Sequence, residues 1–307
     1  MKIWKIKYMN MQENVMVSIC CIVYNHESYI RQCLDGFIMQ KTNFVYEIVI
    51  HDDASTDKTA EIIREYEAKY PNIIKPIYQK ENQYSKGIQI SATYNLPRAK
   101  GKYIALCEGD DYWTDPLKLQ KQVDFLEINL EYSGCVHQAT ILSDNKLIGI
   151  FNKNVKEDIC INDLMAGRLF HTATVIFRKK IFDNIEKIPD VLSGDRLFYF
   201  LMALNGKIRF FNESMCVYRK HSEGMSSVVT VDLLKKDFNM IPFLLNIDKT
   251  FPKYRYKSYL YITMGLCKNG NRFQRLYYLL MSCILSFSYF PGNIVFFCNK
   301  VYSHFKI

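Results

Sequence analysis

Apolar, strand-like runs alternate with helix-patterned segments over the first 120 residues, and this alternation constrains the fold more than any other feature of the sequence. Val17–Val23 is an almost continuous apolar run, as expected for a parallel strand covered by helices on both faces. Further strand-like runs follow at 46–50, 73–78 and 102–107, and apolar residues at helical spacing lie between them. The alternation predicts an α/β fold, with a parallel sheet between layers of helices.

The rest of the chain predicts less regular structure. A helix near 89–96 is expected to be interrupted by Pro97, and Asp57 is expected to cap the helix that follows it. The strands expected after residue 130 are 135–142, 146–151, 172–177, 207–211 and 215–218, with a helix near 195–204 among them. From Val231 onward the pattern predicts helices alone.

The net charge of the chain indicates which classes of binding partner to expect. Among 307 residues, 40 are Lys or Arg and 31 are Asp or Glu, which gives a net charge of +9 at pH 7. A basic chain suits an anionic partner such as a nucleotide diphosphate or an anionic lipid surface. The basic residues lack the dense run of a nucleic-acid-binding arm, so no nucleic-acid partner is expected.

Cysteine spacing and the N-terminal residues indicate a cytoplasmic protein. The ten cysteines include no C-x-x-C pair, so reduced thiols are expected rather than a zinc ribbon or a redox motif. Met1–Lys5 begins no apolar stretch long enough for a signal peptide. We therefore expect the catalytic part to stay inside the cell, with a peripheral position on the inner face of the membrane as an open alternative.

Two acidic clusters fall at the ends of predicted strands, where open α/β sheets bind their ligands. Glu108–Asp111 holds three carboxylates within four residues, which is unfavourable unless a cation compensates the charge. Mg²⁺ and Mn²⁺ prefer such oxygen ligands and share them with substrate phosphates. A solvated acidic turn that caps the following helix is the alternative interpretation.

Asp52 and Asp53 form the second cluster, followed by Ser55, Thr56 and Asp57. Asp53 is a candidate acceptor for the ring N–H of a uracil or guanine base. A cluster of turn and cap residues explains part of the same pattern. A phosphatase with an aspartyl nucleophile is disfavoured, because its motif separates the two acidic residues by one position.

Two further segments carry candidate residues. Asp195 follows Ser193-Gly194 at a predicted helix start, where an N-cap is the simpler interpretation. Tyr218–His221 directly follows a predicted strand. A neutral imidazole there is able to join a metal site, and Arg219 or Lys220 is able to meet a diphosphate, although a basic surface turn is the simpler interpretation of this segment alone.

Taken in order, four segments resemble the motifs of family 2 glycosyltransferases, which have the GT-A fold; they are residues 17–25, 51–57, 101–113 and 193–195. The resemblance covers roughly residues 15–228. It implies that Tyr24 stacks near the nucleotide base, Asp53 recognises the base, Asp110 and Asp111 hold ribose, sugar and metal, His221 joins the metal, and Asp195 is the catalytic base. Asp111 is the first choice for the direct metal ligand.

The resemblance also implies the architecture. We expect a GT-A Rossmann-like mixed, mainly parallel sheet flanked by helices, with an all-helical C-terminal extension. The expected divisions are an N-terminal extension (1–14), a catalytic domain (15–228) with a nucleotide-sugar-binding half (15–115) and an acceptor half (116–228), and a helical segment (229–307). Two departures stand out: Ile22-Val23 replaces the common Pro-Thr before Tyr24, and Glu108 replaces the commoner Asp, which puts its role at the metal in doubt.

The function implied is inverting transfer of a sugar from a nucleoside-diphosphate sugar, with a UDP-sugar as first choice, assisted by Mn²⁺ or Mg²⁺. The acceptor expected is a hydroxyl of a glycan or lipid-linked glycan, in bacterial surface polysaccharide synthesis. A non-catalytic nucleotide-sugar-binding or scaffold protein is the alternative. A sugar nucleotidyltransferase is disfavoured, because Tyr24–Glu27 stands where that class has a Gly-rich basic loop.

The C-terminal segment allows contact with a membrane surface. Leu276–Phe290 carries no charge, Pro291-Gly292 interrupts it, and 293–298 is apolar again. Neither half reaches the roughly 20 apolar residues of a spanning helix. With basic residues on both sides, the segment suits an interfacial helix or hairpin on an anionic inner leaflet. Packing on the catalytic domain or on a second subunit is the alternative.

Overall fold

A mixed ten-stranded sheet organises the fold in the computed structural model, which describes residues 14–183, 185, 187–221 and 229–289. The strands are β1 (Val15–Val23), β2 (Val45–Asp52), β3 (Ile74–Tyr78), β4 (Tyr103–Glu108), β5 (Tyr112–Trp113), β6 (Tyr132–Ser143), β7 (Lys146–Ile150), β8 (Asp158–Ile159), β9 (Ile176–Arg178) and β10 (Lys207–Lys220). The helices are α1 (Ile30–Ile38), α2 (Thr59–Lys69), α3 (Leu96–Arg98), α4 (Lys118–Ile128), α5 (Gly194–Leu204), α6 (Val231–Lys235), α7 (Met240–Ile247), α8 (Lys253–Leu266) and α9 (Arg272–Tyr289).

The chain divides into two units. The first contains the residues up to Cys160, Arg168–Ile188 and Asn205–His221, and so holds the whole sheet with α1 to α4. The second contains Ile161–Gly167, Pro189–Leu204 and the chain from Ser222, with helices α5 to α9. The boundaries expected at 115/116 and 228/229 remain predictions.

The sheet has the order β3-β2-β1-β4-β9-β6-β10-β5, with β7 beside β6 and β8 beside β10. The long ladders β3/β2, β2/β1, β1/β4 and β6/β10 are parallel. Short β9 runs antiparallel to both β4 and β6 and joins the two parallel blocks. The expected α/β class, with a mixed, mainly parallel sheet and a helical C-terminal part, is confirmed.

The core of the first unit lies on β1, which is buried on both faces as its sequence predicts. Four side chains of β1 are fully buried and pack in one cluster with side chains of α1: Val17, Ile19, Cys21 and Val23. Burying each such side chain stabilises the fold by roughly 1.5–3 kcal/mol. Gly101 allows the chain to approach β1, since a Cβ there would lie 2.4 Å from the backbone nitrogen of Ser18.

Several local predictions were wrong. Pro97 does not interrupt its helix, because a π-helical turn (Ser91–Asn95) leads into α3 and places the proline in the first turn, where its missing N–H is tolerated. The strand expected at 172–177 begins as a 3-10 turn at Thr172–Thr174. The strands expected at 207–211 and 215–218 are one strand, β10, whose register shifts between Phe211 and Ser214.

The N-cap of α2 is displaced by one residue from the predicted position. Lys58 occupies the N-cap and makes no side-chain capping bond. Asp57, one residue earlier, still accepts a hydrogen bond from the Thr59 N–H at 2.9 Å.

The second unit is helical in its described part after Thr230, as predicted. Helix α9 packs along α8, where Tyr278 stacks on Tyr261 with ring centres 5.9 Å apart. No helix among the described residues is both long and apolar enough to cross a membrane. The predicted break at Pro291-Gly292 and the apolar run 293–298 lie outside the described residues.

Candidate active site

The acidic motifs meet at one edge of the sheet, because β1, β2 and β4 are parallel neighbours that end together. The end of β1 binds both adjacent loops. Val23 O accepts a hydrogen bond from Asp53 N at 2.9 Å, and Ile22 O accepts one from Gly109 N at 3.0 Å. This places the residues after all three strands side by side, as the sequence predicted from the strand ends.

The Ser-Thr-Asp segment after β2 ties its loop to the loop after β1. Asn25, at a positive φ of 54°, donates its N–H to Ser55 Oγ at 2.9 Å. Its side-chain oxygen accepts from Thr56 N at 2.8 Å, and Asp57 accepts from Glu27 N at 3.0 Å. The density of small polar residues here has a structural role, which leaves fewer of them available to a ligand.

Asp53 and Tyr24 differ in their freedom to contact a ligand. Asp53 is 1% exposed, and its carboxylate accepts hydrogen bonds from Gln83 N at 2.8 Å and Tyr84 N at 3.0 Å. His51 Nε2 also lies 3.3 Å from it. Tyr24 is 43% exposed at the end of β1. A base-binding role for each remains a prediction, and Asp53 already holds the 83–84 turn in place.

Asp110 and His221 form the accessible part of the site. Asp110 Oδ2 lies 3.0 Å from His221 Nε2, and about one sixth of each side chain is exposed. The Tyr29 ring packs against the imidazole with centroids 5.0 Å apart. Burial opposes ionisation of Asp110, but the hydrogen bond with His221 and the charge of His26 hold its pKa below the usual value. Asp110 is therefore a carboxylate near neutral pH.

Asp111 and His171 form a buried part beside it. Asp111 Oδ2 lies 3.3 Å from His171 Nδ1, and both side chains are at most 2% exposed. Burial raises the pKa of Asp111 well above its usual value, and the charges of Asp110 and Glu108 add to the effect. Burial likewise lowers the pKa of His171 well below its usual value. Both shifts disfavour an ion pair at this contact.

The hydrogen bonds of His171 show why this contact suits a cation. His171 Nδ1 accepts the N–H of Ala173, so this nitrogen has no proton to donate to Asp111. Two acceptor atoms then face each other at 3.3 Å. Either a proton on Asp111 or a cation must lie between them, since two lone pairs at this distance repel. The raised pKa of Asp111 is consistent with the proton.

The donor set fits a divalent metal ion. Glu108, Asp111 and His171 each offer a ligand atom, and these atoms lie within 4.8 Å of one another. Asp110 Oδ1 is buried and accepts no hydrogen bond from the residues that the structure describes. Carboxylate oxygens are ligands that Mn²⁺ and Mg²⁺ prefer. The sequence named Asp110, Asp111 and His221 as ligands; the structure adds His171 and Glu108 as candidates.

Arg219 supports the site rather than presenting its charge to a ligand. The guanidinium lies over the rings of Tyr112 and Tyr29, 4.5 and 5.1 Å from their centres. It donates to Asp110 O at 2.5 Å and to the side chain of Gln32. The Arg219 N–H donates to Asp111 Oδ1 at 2.9 Å. Arg219 thus fixes the backbone of Asp110 and the carboxylate of Asp111. The suggested contact with a diphosphate remains a prediction.

Asp195, the predicted base, lies in the first turn of α5 in the second unit. It is not the N-cap. Its Oδ1 accepts from Arg196 N at 2.7 Å, and Tyr199 Oη lies 3.5 Å from Oδ2. The segment before α5 is held by buried Asp237, whose carboxylate accepts the N–H groups of Leu192 and Ser193 at 2.8 and 2.9 Å.

Sequence patterns did not identify His171 or Asp237 as part of these sites. His171 precedes a strand-like run in His171-Thr172-Ala173-Thr174, and only its position before the run distinguished it from an ordinary buried histidine. Asp237 lies in a helical segment with nothing to indicate that it reaches a residue 44 positions earlier. Both depend on tertiary proximity, which a single sequence does not reveal.

Several known proteins and solved structures are similar to this chain, and two relatives illustrate the similarity in sequence. An uncharacterized protein of Mycobacterium tuberculosis (strain ATCC 25618 / H37Rv) is 39% identical over 212 residues, which are 68% of this chain and 60% of the relative. TuaG of Bacillus subtilis (strain 168), named as a glycosyltransferase of teichuronic acid biosynthesis, is 25% identical over 69% of this chain and 82% of its own. The chain therefore matches about 60% of the length of the first of these relatives.

The solved structures support the fold. Residues 1–349 of S. aureus TarS, in complex with UDP-GlcNAc, superpose with a TM-score of 0.68 at 20% identity, covering 88% of this chain and 81% of TarS. The mannosyltransferase PcManGT of Pyrobaculum calidifontis, in complex with GDP-Man and Mn²⁺, gives 0.58 at 14% identity, covering 95% and 81%. These likenesses confirm the expected GT-A fold.

The family assignment rests on the sequence itself. Residues 18–185, more than half of the chain, match the family described as glycosyl transferase family 2. The matched range contains the loops after β1, β2 and β4, together with Glu108, Asp111 and His171. The chain belongs to glycosyl transferase family 2.

Proposed function

We propose that this glycosyltransferase transfers a sugar, with inversion, from a nucleoside-diphosphate sugar to a hydroxyl of a glycan or lipid-linked glycan. The observation that carries the proposal is the convergence of Asp110 with His221, 3.0 Å apart, beside Asp111 and His171 at the carboxyl edge of the sheet. The nucleotide sugars bound to TarS and PcManGT support the class of substrate. A UDP-sugar remains the first choice.

We assign direct contact with Mn²⁺ or Mg²⁺ to Asp110 and His221 and keep Asp111 as a third ligand. Asp110 and His221 are partly accessible, as a site that shares its metal with a diphosphate requires, whereas Asp111 and His171 are closed to solvent. A bound ion would neutralise charge that develops on the departing diphosphate. Asp111 would hold the backbone of Arg219 and thereby the position of His221 two residues later.

The remaining roles follow the motifs. Asp195 would accept the proton of the acceptor hydroxyl as its oxygen bonds to the anomeric carbon, while the bond to the diphosphate breaks and its electron pair leaves with the diphosphate. Tyr24 would stack on the base and Asp53 would recognise it. The attack from the opposite face produces inversion.

We further propose a role in bacterial surface polysaccharide synthesis, in the cytoplasm and at the inner face of the membrane. The named pathway of TuaG supports the polysaccharide class. A lipid-linked acceptor would make peripheral membrane association useful, because enzyme and acceptor would then share one surface.

Thermal stability against a panel of nucleoside diphosphates and nucleotide sugars, with and without Mn²⁺, tests the proposal. A ligand at 100 times its dissociation constant stabilises the folded state by about 2.7 kcal/mol, which raises the melting temperature by about 5 °C. We expect a Mn²⁺-dependent shift with one base, lost in Asp110→Asn and kept in the matched control Asp144→Asn, which lies in an exposed turn. A folded protein that responds to no nucleotide would instead be a scaffold.

A further inference from the structure

Helix α9 exposes large apolar side chains along one side. Phe273 is 86% exposed, and the other members of this set are between 49% and 66% exposed: Leu276, Tyr277, Leu280 and Ile284. Their spacing of three and four residues places them on one face of the helix. We call these five residues the α9 apolar stripe. The stripe extends from Phe273 to Ile284, a rise of about 16 Å along the helix.

The opposite side of α9 buries small polar residues. Ser282 and Ser286 are buried, and their hydroxyls lie 2.9 and 3.0 Å from Ser258 Oγ on α8. Gly265 of α8 lets the helices approach, since a Cβ there would lie 2.6 Å from Leu279. Tyr278 and Leu279 also face α8, yet α9 leaves more of its large apolar residues exposed than a helix of a water-soluble domain does. Small residues and hydroxyl pairs between helices are typical of a lipid environment.

The charge of this region favours an anionic surface. The sequence after Asp248 contains nine Lys or Arg and no Asp or Glu, so the whole net charge of +9 lies in residues 249–307. Lys268 and Arg272 are exposed at the start of α9, next to the stripe. Basic residues beside a membrane are attracted to anionic lipids, each by about 1 kcal/mol.

We propose that the α9 apolar stripe lies on the surface of an anionic lipid bilayer, with the helix axis along the membrane plane. The inference deepens the membrane association in the proposed function and rests on it. An interfacial position follows because α9 is amphipathic with its apolar side outward and no described helix is able to span a bilayer. A second copy of the chain would bring the positive charges of its own Lys268 and Arg272 to the same stripe, whereas anionic lipids neutralise them.

Co-sedimentation of the full chain with lipid vesicles tests the proposal. The probes are vesicles of phosphatidylcholine alone and of phosphatidylcholine mixed with phosphatidylglycerol. We expect binding to the anionic vesicles, weakened about 30-fold in the double variant Leu276→Ser/Leu280→Ser, which removes two apolar contacts. Arg272→Gln should weaken binding about fivefold. The double variant Leu147→Ser/Ile148→Ser, on exposed β7, is the matched control and should bind as the wild type does.

Three outcomes would overturn the inference: no binding of the wild type to anionic vesicles, equal loss in the β7 control, or a dimer in light scattering that the α9 variant dissociates. In the last case a second copy covers the stripe. The stripe is exposed, so the variants are expected to fold, and urea unfolding of the same samples verifies this. Nucleotide binding, measured in parallel, separates the two proposals. Nucleotide binding without vesicle binding refutes the membrane surface alone, and the reverse refutes the transferase assignment alone.

Discussion

Lys118→Met should change how the stability of the first unit depends on pH, because Lys118 is a fully buried lysine at the start of α4. Its ammonium donates to Gln122 Oε1 at 2.7 Å and lies 4.0 Å from the centre of the Trp113 ring. No carboxylate forms a salt bridge with it in the part of the chain that the structure describes. Burial lowers the pKa of Lys118 to about 8. Methionine matches the length and volume of the lysine stem.

The magnitude follows from the two pKa values. Lowering the pKa from its ordinary value of 10.5 to about 8 corresponds to about 3 kcal/mol in the free energy of unfolding. The folded protein binds fewer protons than the unfolded chain between pH 8 and 10.5, so the free energy of unfolding of the wild type rises with pH across this window. The variant lacks this rise. It also leaves Gln122 Oε1 without its donor, which costs about 1–2 kcal/mol. The variant should therefore be more stable at pH 7 and less stable at pH 10.5.

Urea unfolding of wild type and variant at pH 7, 8.5 and 10.5 measures the difference between their free energies of unfolding. The other titrating groups are the same in both proteins, so their contributions cancel in this difference. The matched control is Lys121→Met on the same helix. Lys121 forms salt bridges with Asp115 and Glu213, and hydrogen bonds to them raise its pKa. A raised pKa in the folded state produces no rise of the free energy of unfolding with pH, so this variant should not show the change expected of Lys118→Met. A difference for Lys118→Met that stays constant with pH would refute the argument, and would mean that the Trp113 ring keeps the ammonium charged.

Three further predictions concern the site and the sheet. His221→Ala should weaken Mn²⁺ binding in calorimetry about tenfold or more. His171→Ala should mainly lower the free energy of unfolding, by about 2–4 kcal/mol, because it removes a buried ring stacked on Tyr218. The opposite pattern would assign the metal to Asp111 and His171. Asp195→Asn should lower kcat by roughly 10²–10⁴-fold with an unchanged dissociation constant for the nucleotide sugar, and weaker binding would contradict a base. Gly101→Ala should cost about 2–3 kcal/mol in urea unfolding, because its Cβ meets backbone; an unchanged midpoint would show that the strands separate easily.

The sequence was most informative where one local pattern determines the structure. The strands β1, β2 and β4 follow from apolar runs, and their parallel pairing places the acidic motifs at one edge. Patterns failed where side chains or irregular pairing intervene. In β10, Asn212 and Glu213 resemble a turn, but a bulge absorbs them and the strand continues. At Thr172–Thr174, capping by His171 replaces strand pairing with a 3-10 turn.

The burial of Lys118 was hidden for a related reason. The helix dipole disfavours a cation at the start of a helix, so a lysine at this position is expected to extend its ammonium into solvent. Only the packing of Trp113 and Gln122 around it shows that the ammonium is enclosed. The chain thus carries a buried cation close in sequence to Asp111, a relationship visible only in three dimensions.

Asp110 and Asp111 are adjacent in one sequence motif, but the structure gives them different partners. Asp110 meets His221 at the accessible side, and Asp111 meets His171 in the interior. Their pKa values shift in opposite directions. Burial and the charges of Asp110 and Glu108 raise the pKa of Asp111. Burial also opposes ionisation of Asp110, but its hydrogen bond with His221 and the charge of His26 hold its pKa below the usual value. Asp110 is therefore ready to bind a cation as a carboxylate, whereas the raised pKa of Asp111 opposes its ionisation unless a cation offsets the negative charge. A metal that reached both would release a proton from Asp111, so its affinity should increase with pH more steeply than Asp110 and His221 alone require.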